Sequence, residues 1–117
     1  MFDIPDQMPQ YPGGMLGLKL FLMDNLQYPA DALEASAEGR ILVKFIIDKD
    51  GTVSDAKILS NQGKNKDEKL PESCEQEALR VVNLMPKWQP GKKNSEPVKV
   101  NYTLPVGFYM QLPDIKE

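Results

Sequence analysis

The clearest pattern along the chain is an alternation of apolar and polar positions near its C-terminus. Apolar side chains occupy every second position from Val98 to Phe108, with polar residues, proline or glycine between them. A period of two is that of a β-strand with one face on a core, so these eleven residues are predicted to form a strand. A second alternation runs from Gly39 to Ile47 and predicts another strand.

A β-hairpin is predicted after the earlier of these strands. Residues 49–51 have the composition of a tight turn, in which Gly51 supplies a positive φ. In the return strand, predicted over 52–60, the apolar phase slips from odd to even positions. One extra residue would restore the phase, so we expect a β-bulge near Ser54 or Asp55. A frayed strand end is the alternative.

Three helices are predicted from apolar residues at helical spacing and from prolines that end or begin helices. The first covers about 15–26 and the second about 29–37. The third is predicted to begin at a capping box of Ser73 and Gln76 and to end at Pro86. Its apolar stripe consists of Cys74, Ala78, Val81, Val82 and Met85.

This order of elements, α-α-β-β-α-β, predicts an α+β fold with two layers. We expect a three-stranded sheet containing an antiparallel hairpin, in the order second, first, third strand, with helices on one face. The polar segment 61–72 is expected to be a mobile loop. Residues 1–14 are predicted to be an extended leader, 15–109 one domain, and 110–117 a tail.

Pro105 indicates how the last strand sits at the edge of this sheet. Proline has no N–H, so its nitrogen must face away from the neighbouring strand. Backbone groups alternate along a strand, so those of Lys99, Asn101 and Thr103 should also face outward. A free row of N–H and C=O groups invites the addition of another strand. The sequence equally allows Lys99 and Pro105 to be there to protect the edge from aggregation.

Composition excludes several classes of function. A formal net charge of −3 offers no basic surface for nucleic acid. With no histidine and one cysteine, Ser-His and Cys-His catalysis, histidine-ligated metals and cysteine-based zinc sites are excluded. Neither an enzyme nor a cofactor is therefore expected, and Cys74 is expected to be a small buried apolar residue.

No segment of the sequence is long and apolar enough to cross a membrane. The longest nearly apolar stretch, Met15 to Met23, has nine residues, whereas a spanning helix needs about 20. We expect either a soluble protein or the exposed domain of a chain whose anchor has been removed.

Seven short segments occur in an order that is more specific than any one of them. They are Tyr11-Pro12-Gly13-Gly14, Gln27-Tyr28-Pro29-Ala30, Gly39 to Phe45, Asp50-Gly51-Thr52-Val53, Ala78 to Val82, Met85 to Gly91, and Pro97 to Tyr102. Together, over about residues 8 to 108, the chain resembles the C-terminal domain of TonB, in the subgroup with a Pro-Gly-Gly leader. It departs from the family pattern in the long loop 61–72, at Cys74 and at Ser36.

The resemblance implies a periplasmic energy-transduction module. In the family, this domain ends a chain with an N-terminal inner-membrane helix, which works with the motor proteins ExbB and ExbD. The domain binds the TonB box, a short peptide of outer-membrane β-barrel transporters, as a strand added to the edge of its last strand.

The implied peptide-binding residues form two groups. The edge-strand group is Val98, Lys99, Val100, Asn101, Tyr102, Thr103 and Leu104. The second transporter-contact group is Asn25, Gln27, Tyr28 and Pro29. We expect affinity mainly from backbone pairing, and selectivity from Asn101, Thr103 and Tyr28.

Other assignments stay open beside this one. The chain would also fit an accessory domain of another membrane protein, such as a sensor metallopeptidase, a soluble adaptor, or a homodimer joined through edge strands. Tyr28 could serve as a simple helix stop, whereas Trp88 is expected to lie in the core. Four lysines could steer acidic partners or simply be solvated: Lys87, Lys92, Lys93 and Lys99.

Overall fold

The computed structural model describes residues 4–65 and 68–110. Its elements are α1 (Gly14–Asn25), α2 (Ala30–Glu34), β1 (Gly39–Ile47), β2 (Val53–Gly63), α3 (Glu72–Asn83), β3 (Gly91–Lys93), β4 (Glu96–Val98) and β5 (Val100–Phe108). The main sheet has the order β2-β1-β5, and both of its pairings are antiparallel. The predicted α+β fold and strand order are therefore confirmed. Apart from Met110, the predicted tail lies outside the described residues.

The core lies between one face of this sheet and the helices. Alternate side chains of β1 are fully buried on that face: Ile41, Val43, Phe45 and Ile47. On the opposite face of the strand, Arg40 and Lys44 are exposed. The predicted apolar stripe of α3 covers the buried face, since Cys74, Ala78 and Val82 belong to the same cluster of buried residues. Burial on one face only is what the period of two predicted.

Helix α1 is apolar on more than the face that it buries. Leu18 is buried, and Phe21 and Leu22 pack against the core, as the helical spacing predicted. On the other side of the helix, Leu16 and Met23 are 67% and 69% exposed. Within the described residues, no helix has the length and apolar character needed to cross a membrane.

Trp88 joins the core to the edge strand. Its side chain is 3% exposed, which confirms the expectation that it lies in the core. The ring centroid lies 4.9 Å from that of Tyr102, 5.6 Å from that of Tyr11 and 5.9 Å from that of Phe45. These contacts place the leader, β1 and β5 around one indole.

Strand β2 is irregular and longer than predicted. The pairing with β1 shifts between Lys44 and Ile46, and Asp55 has a φ of +54° there, which confirms the predicted bulge. A second shift, at Leu42 and Val43, was not predicted. The strand continues to Gly63, so residues 61–63 are paired rather than part of a loop.

The predicted capping box at Ser73 is wrong. Helix α3 begins at Glu72, with Pro71 as its N-cap residue and no side-chain cap. Proline has its φ fixed near the helical value, so a helix can begin directly after it. Ser73 consequently lies inside the first turn, where its hydroxyl donates to Asp31 Oδ1 at 2.6 Å.

The segment before β5 forms a small separate hairpin. Strands β3 and β4 pair through a turn at Asn94 and Ser95, both with positive φ, which suits the twist of a tight hairpin. The leader adds isolated bridges from Gln7 to Lys92 and from Gln10 to Gln89.

The last strand accordingly begins at Val100, two residues later than predicted, because Val98 belongs to β4. Strand β1 ends at Ile47, opposite Val100, so Lys99 lies between β4 and β5 and has no strand partner in β1.

Candidate functional site

Strand β5 is an edge strand with an unbroken pairing on its inner side. All nine of its residues pair with β1 in a constant register, from Val100 opposite Ile47 to Phe108 opposite Gly39. Among the described strands, β1 is its only neighbour. One edge of β5 is therefore paired with β1, and no described strand pairs with its other edge.

Hydrogen bonds at both ends of β1 decide which groups of β5 face outward. Just beyond β1, the Asp48 N–H donates to Thr52, and just before it the Glu38 carbonyl accepts from Lys64 at 2.7 Å. Both bonds point toward β2. The backbone N–H and C=O groups of even-numbered β1 residues therefore face β2, and those of odd-numbered residues face β5. The register pairs these odd residues with even residues of β5.

The outward groups of β5 are consequently those of its odd-numbered residues: Asn101, Thr103, Pro105 and Gly107. All four residues are exposed. Pro105 lies opposite Leu42, a pair that needs no N–H from β5, which agrees with its lack of a donor. Val100 and Leu104 direct their backbone groups to β1 and their side chains into the core.

The structure brings five residues of the predicted edge group onto this strand and leaves two outside it. Val100, Asn101, Tyr102, Thr103 and Leu104 lie consecutively in β5. Val98 is buried in β4, and Lys99 lies between the two strands, with its Nζ 3.8 Å from Asp48 Oδ1. Lys87 likewise lies 3.8 Å from Asp50, so two of the four candidate lysines are near carboxylates of the β1–β2 turn.

The second predicted group connects α1 to α2 and is fastened to α3 by a charged pair. The Gln27 N–H donates to Glu77 Oε2 at 2.7 Å, and the Asn25 carbonyl accepts from Arg80 Nη2 at 2.8 Å. Glu77 and Arg80 are themselves 2.7 Å apart. The hydrogen bond from Arg80, supported by the Gln27 N–H, holds the pKa of Glu77 below its usual value. Sequence reasoning missed these links because Gln27 and Asn25 lie 50 and 55 residues from Glu77 and Arg80 along the chain.

Tyr28 links this segment to the far end of β5. Its ring packs edge-on against Phe108, with centroids 5.8 Å apart, and its hydroxyl donates to the Ala37 carbonyl. Burial, followed by the nearby Glu38 carboxylate, raises the pKa of Tyr28. Tyr28 thus contacts β5 at Phe108, beyond the predicted edge group, whereas the groove of about 410 Å³ that Tyr28 and Pro29 line lies against α3.

Cys74 is a core residue of α3. Its side chain is fully buried, as expected. Burial raises the pKa of the thiol to about 11, with the carboxylates of Asp31 and Glu75 adding to the effect. Because the thiolate is the nucleophile, this environment disfavours cysteine chemistry. In residues 4–65 and 68–110, no group of three or more acidic, cysteine or histidine residues is placed to hold a metal ion.

Comparison with known proteins identifies the family. The family profile described as "Gram-negative bacterial TonB protein C-terminal" matches residues 24–110. The chain belongs to the TonB C-terminal family. The leader and nearly all of α1 lie outside the matched TonB segment. No curated protein sequence matches the chain.

Two solved structures share the TonB fold with this chain. Both are NMR solution structures of the Helicobacter pylori TonB C-terminal domain, of residues 194–285 and 179–285. Their TM-scores are 0.57 and 0.56, at 21% and 20% sequence identity. Each alignment covers 85% of this chain, and 96% or 82% of the other one. At this level of identity, the likeness establishes the shared fold.

Proposed function

We propose that this TonB C-terminal domain is the periplasmic peptide-capture part of an energy transducer. It binds the TonB box of outer-membrane transporters as a strand added to β5. The observation that carries the proposal is the unshifted edge strand, whose Asn101 and Thr103 backbone groups face away from β1. Strand addition uses such groups for affinity and neighbouring side chains for specificity.

The chemistry of this edge fits a module that pulls on its ligand. Asn101 and Thr103 each offer an N–H and a C=O, whereas Pro105 offers only a C=O, so the row of outward N–H groups is interrupted there. Each backbone hydrogen bond contributes a net of about 1 kcal/mol. Bonds loaded together along the strand direction share a pulling force, and main-chain pairing tolerates different transporter sequences.

The remaining parts of the proposal concern the whole transducer. We propose that the domain is coupled to ExbB and ExbD through an N-terminal membrane helix of the full protein. Asn25, Gln27, Tyr28 and Pro29 would form the second transporter contact, in which Tyr28 packs against Phe108 of β5. The domain would act by binding and force transmission, without catalysis. Sequencing the gene upstream of Met1 tests this reading. A membrane helix and a proline-rich spacer encoded there would support it over an accessory domain of another membrane protein.

An NMR titration tests the capture site. Isotope-labelled protein is titrated with a short synthetic peptide copied from the TonB box of a transporter of the same organism. We expect the amide signals of Asn101 and Thr103 to shift, while those of the opposite edge strand, β2, stay in place. Unchanged Asn101 and Thr103 signals at saturating peptide would contradict the proposal.

A pair of variants at one position separates the backbone from the side chain. Thr103→Pro removes the outward N–H, whereas Thr103→Val keeps it and removes only the hydroxyl. We expect about a tenfold or greater loss of affinity for Thr103→Pro, because two adjacent pairings are disturbed, and little change for Thr103→Val. Equal affinities of the two variants would contradict backbone capture. A dimer that persists in Thr103→Pro by light scattering would assign self-association to another surface.

A further inference from the structure

A small cavity lies between the leader, the start of α1 and the edge strand. Its volume is about 150 Å³, and its walls include Pro9, Tyr11, Met15, Leu18, Trp88 and Tyr102. Tyr102 belongs to β5 and is half-buried, so one wall of the cavity is the edge strand itself. Met15, at another wall, is 66% exposed. The cavity therefore joins the core to the surface beside the open edge.

The cavity also contains a wall residue with an unsatisfied polar group. The indole Nε1–H of Trp88 is buried and has no hydrogen-bond acceptor among the described residues. Apart from Gln10, the other lining residues are apolar, aromatic or glycine, so an occupant of this space gains mainly from apolar burial.

Strand geometry brings the side chains of a guest peptide to this cavity. A strand added to β5 lies about 4.8 Å from it, and its side chains point alternately to the two faces of the sheet. On the bare face they meet the exposed side chains of Asn101 and Thr103. On the helix face they stand next to Tyr102, below the flank of α1 that carries Met15.

We propose that this cavity receives one large apolar side chain, of leucine or phenylalanine size, from the peptide bound at β5. The proposal rests on the proposed function of strand capture. A cavity of about 150 Å³ holds a benzene molecule in other proteins, which is the size required. The walls from the leader and α1 precede the family match at 24–110. The leader and α1 thus contribute walls outside the matched segment, beside Trp88 and Tyr102 inside it.

The test uses a threonine-rich synthetic peptide that carries one leucine, placed at each position in turn, compared with alanine at the same position. We expect one helix-facing position at which leucine binds about tenfold more tightly than alanine, since three buried carbon groups contribute to binding. The leucine peptide should also shift the Nε1–H signal of Trp88, the only tryptophan of the chain. The alanine peptide should leave that signal nearly unchanged.

Two methionines of α1 provide matched variants. Met15 and Met23 are 66% and 69% exposed, and of the two only Met15 lines the cavity. Met15→Glu should weaken binding of the best leucine peptide about tenfold and leave the alanine peptide unaffected, whereas Met23→Glu should affect neither.

Two results overturn the cavity proposal while leaving strand capture intact. One is equal behaviour of the two methionine variants, and the other is a leucine scan without positional preference, in each case with Asn101 and Thr103 amides that still shift. If the TonB-box peptide also leaves those amides unshifted, the proposed function itself is wrong.

Discussion

The two edges of the main sheet are built in opposite ways. Strand β5 pairs with β1 over nine residues without a shift. Strand β2 pairs with the other side of β1 through two shifts, one of them with Asp55 in a left-handed conformation. At its end, the Gly63 N–H points away from β1 and donates to the Glu68 carbonyl at 2.9 Å, so the following loop covers that part of the edge.

The contrast shows that the fold has means of protecting an edge and applies them to β2. Bulges and covering loops are common ways of preventing edge-to-edge association. On β5, the protective candidates are weaker, because Pro105 removes one N–H and Lys99 lies outside the strand beside Asp48. A regular open edge opposite a protected one favours recruitment of a guest strand over simple solvent exposure.

The largest expected effect distinguishes the inner and outer sides of β5. Leu104→Pro removes a backbone donor directed at β1 and a buried side chain, and should lower the free energy of unfolding by about 3 kcal/mol or more. Thr103→Pro removes an outward donor and should cost about 1 kcal/mol or less. Urea denaturation measures both. Equal losses would mean that the inward and outward sides of β5 are assigned wrongly.

A smaller effect is expected where the loop covers the β2 edge. The Asn61 side chain accepts from the Leu70 N–H at 2.8 Å and donates to the Leu70 carbonyl at 2.9 Å. Asn61→Ala should therefore lower the free energy of unfolding by about 2 kcal/mol and expose the Gly63 amide to hydrogen exchange. Asn65→Ala, at an exposed position of the same loop, is the control. If both variants lose the same stability, Asn61 does not fasten the loop.

Substitution by glycine should affect stability differently at Asp55, in the bulge, and at Lys57 beside it. Because Asp55 has a φ of +54°, Asp55→Gly relieves backbone strain and should raise the free energy of unfolding by about 0.5 kcal/mol. Its ion pair with Lys57, both side chains more than half exposed, offsets little of this gain. Lys57→Gly should instead be destabilising. Thermal unfolding of the two variants compares them, and a matching loss in both would argue against strain at the bulge.

The smallest expected effect concerns Glu38, which fastens the ends of both edges. Its carboxylate accepts from the Met110 N–H at 3.1 Å, just beyond β5, and lies 3.2 Å from Lys64, just beyond β2. These contacts, the Met110 bond first, lower the pKa of Glu38 from its ordinary value of 4.5. A lowered pKa means stability that is present above the ordinary value and is lost as pH falls through the folded value.

Comparing wild type with Glu38→Gln in urea across this pH range tests the contribution. The wild-type protein should be slightly more stable at neutral pH, and the difference should vanish in acid. A difference that stays constant with pH would show that the charge of Glu38 is not involved.

Much of the β5 site could be predicted because a strand buried on one face has an apolar residue at every second position. The alternation around Tyr102 located the strand, and Pro105 indicated which side of it faces outward. The bulge at Asp55 was predictable for a similar reason, since it shifts the phase of the apolar residues after it. The second bulge left no such signal, because Leu59, the extra residue there, is apolar but 56% exposed.

The parts that were missed depend on contacts without a local pattern. Strands β3 and β4 have three residues each, too few to show a period, and the leader joins them by backbone pairing. Helix α3 begins at Glu72 rather than at the predicted cap, because the Ser73 hydroxyl binds α2 instead. The cavity beside Tyr102 likewise appears only once leader, helix and strand have been brought together.

Amide hydrogen exchange along β5 tests the central claim most directly. In the free protein, we expect the Asn101 and Thr103 amides to exchange quickly and those of Tyr102 and Leu104 to be protected by β1. Bound TonB-box peptide should protect Asn101 and Thr103 as well and leave the other two unchanged. Protection of Asn101 and Thr103 before any peptide is added, or unchanged exchange at saturating peptide, would contradict an open edge that captures a strand.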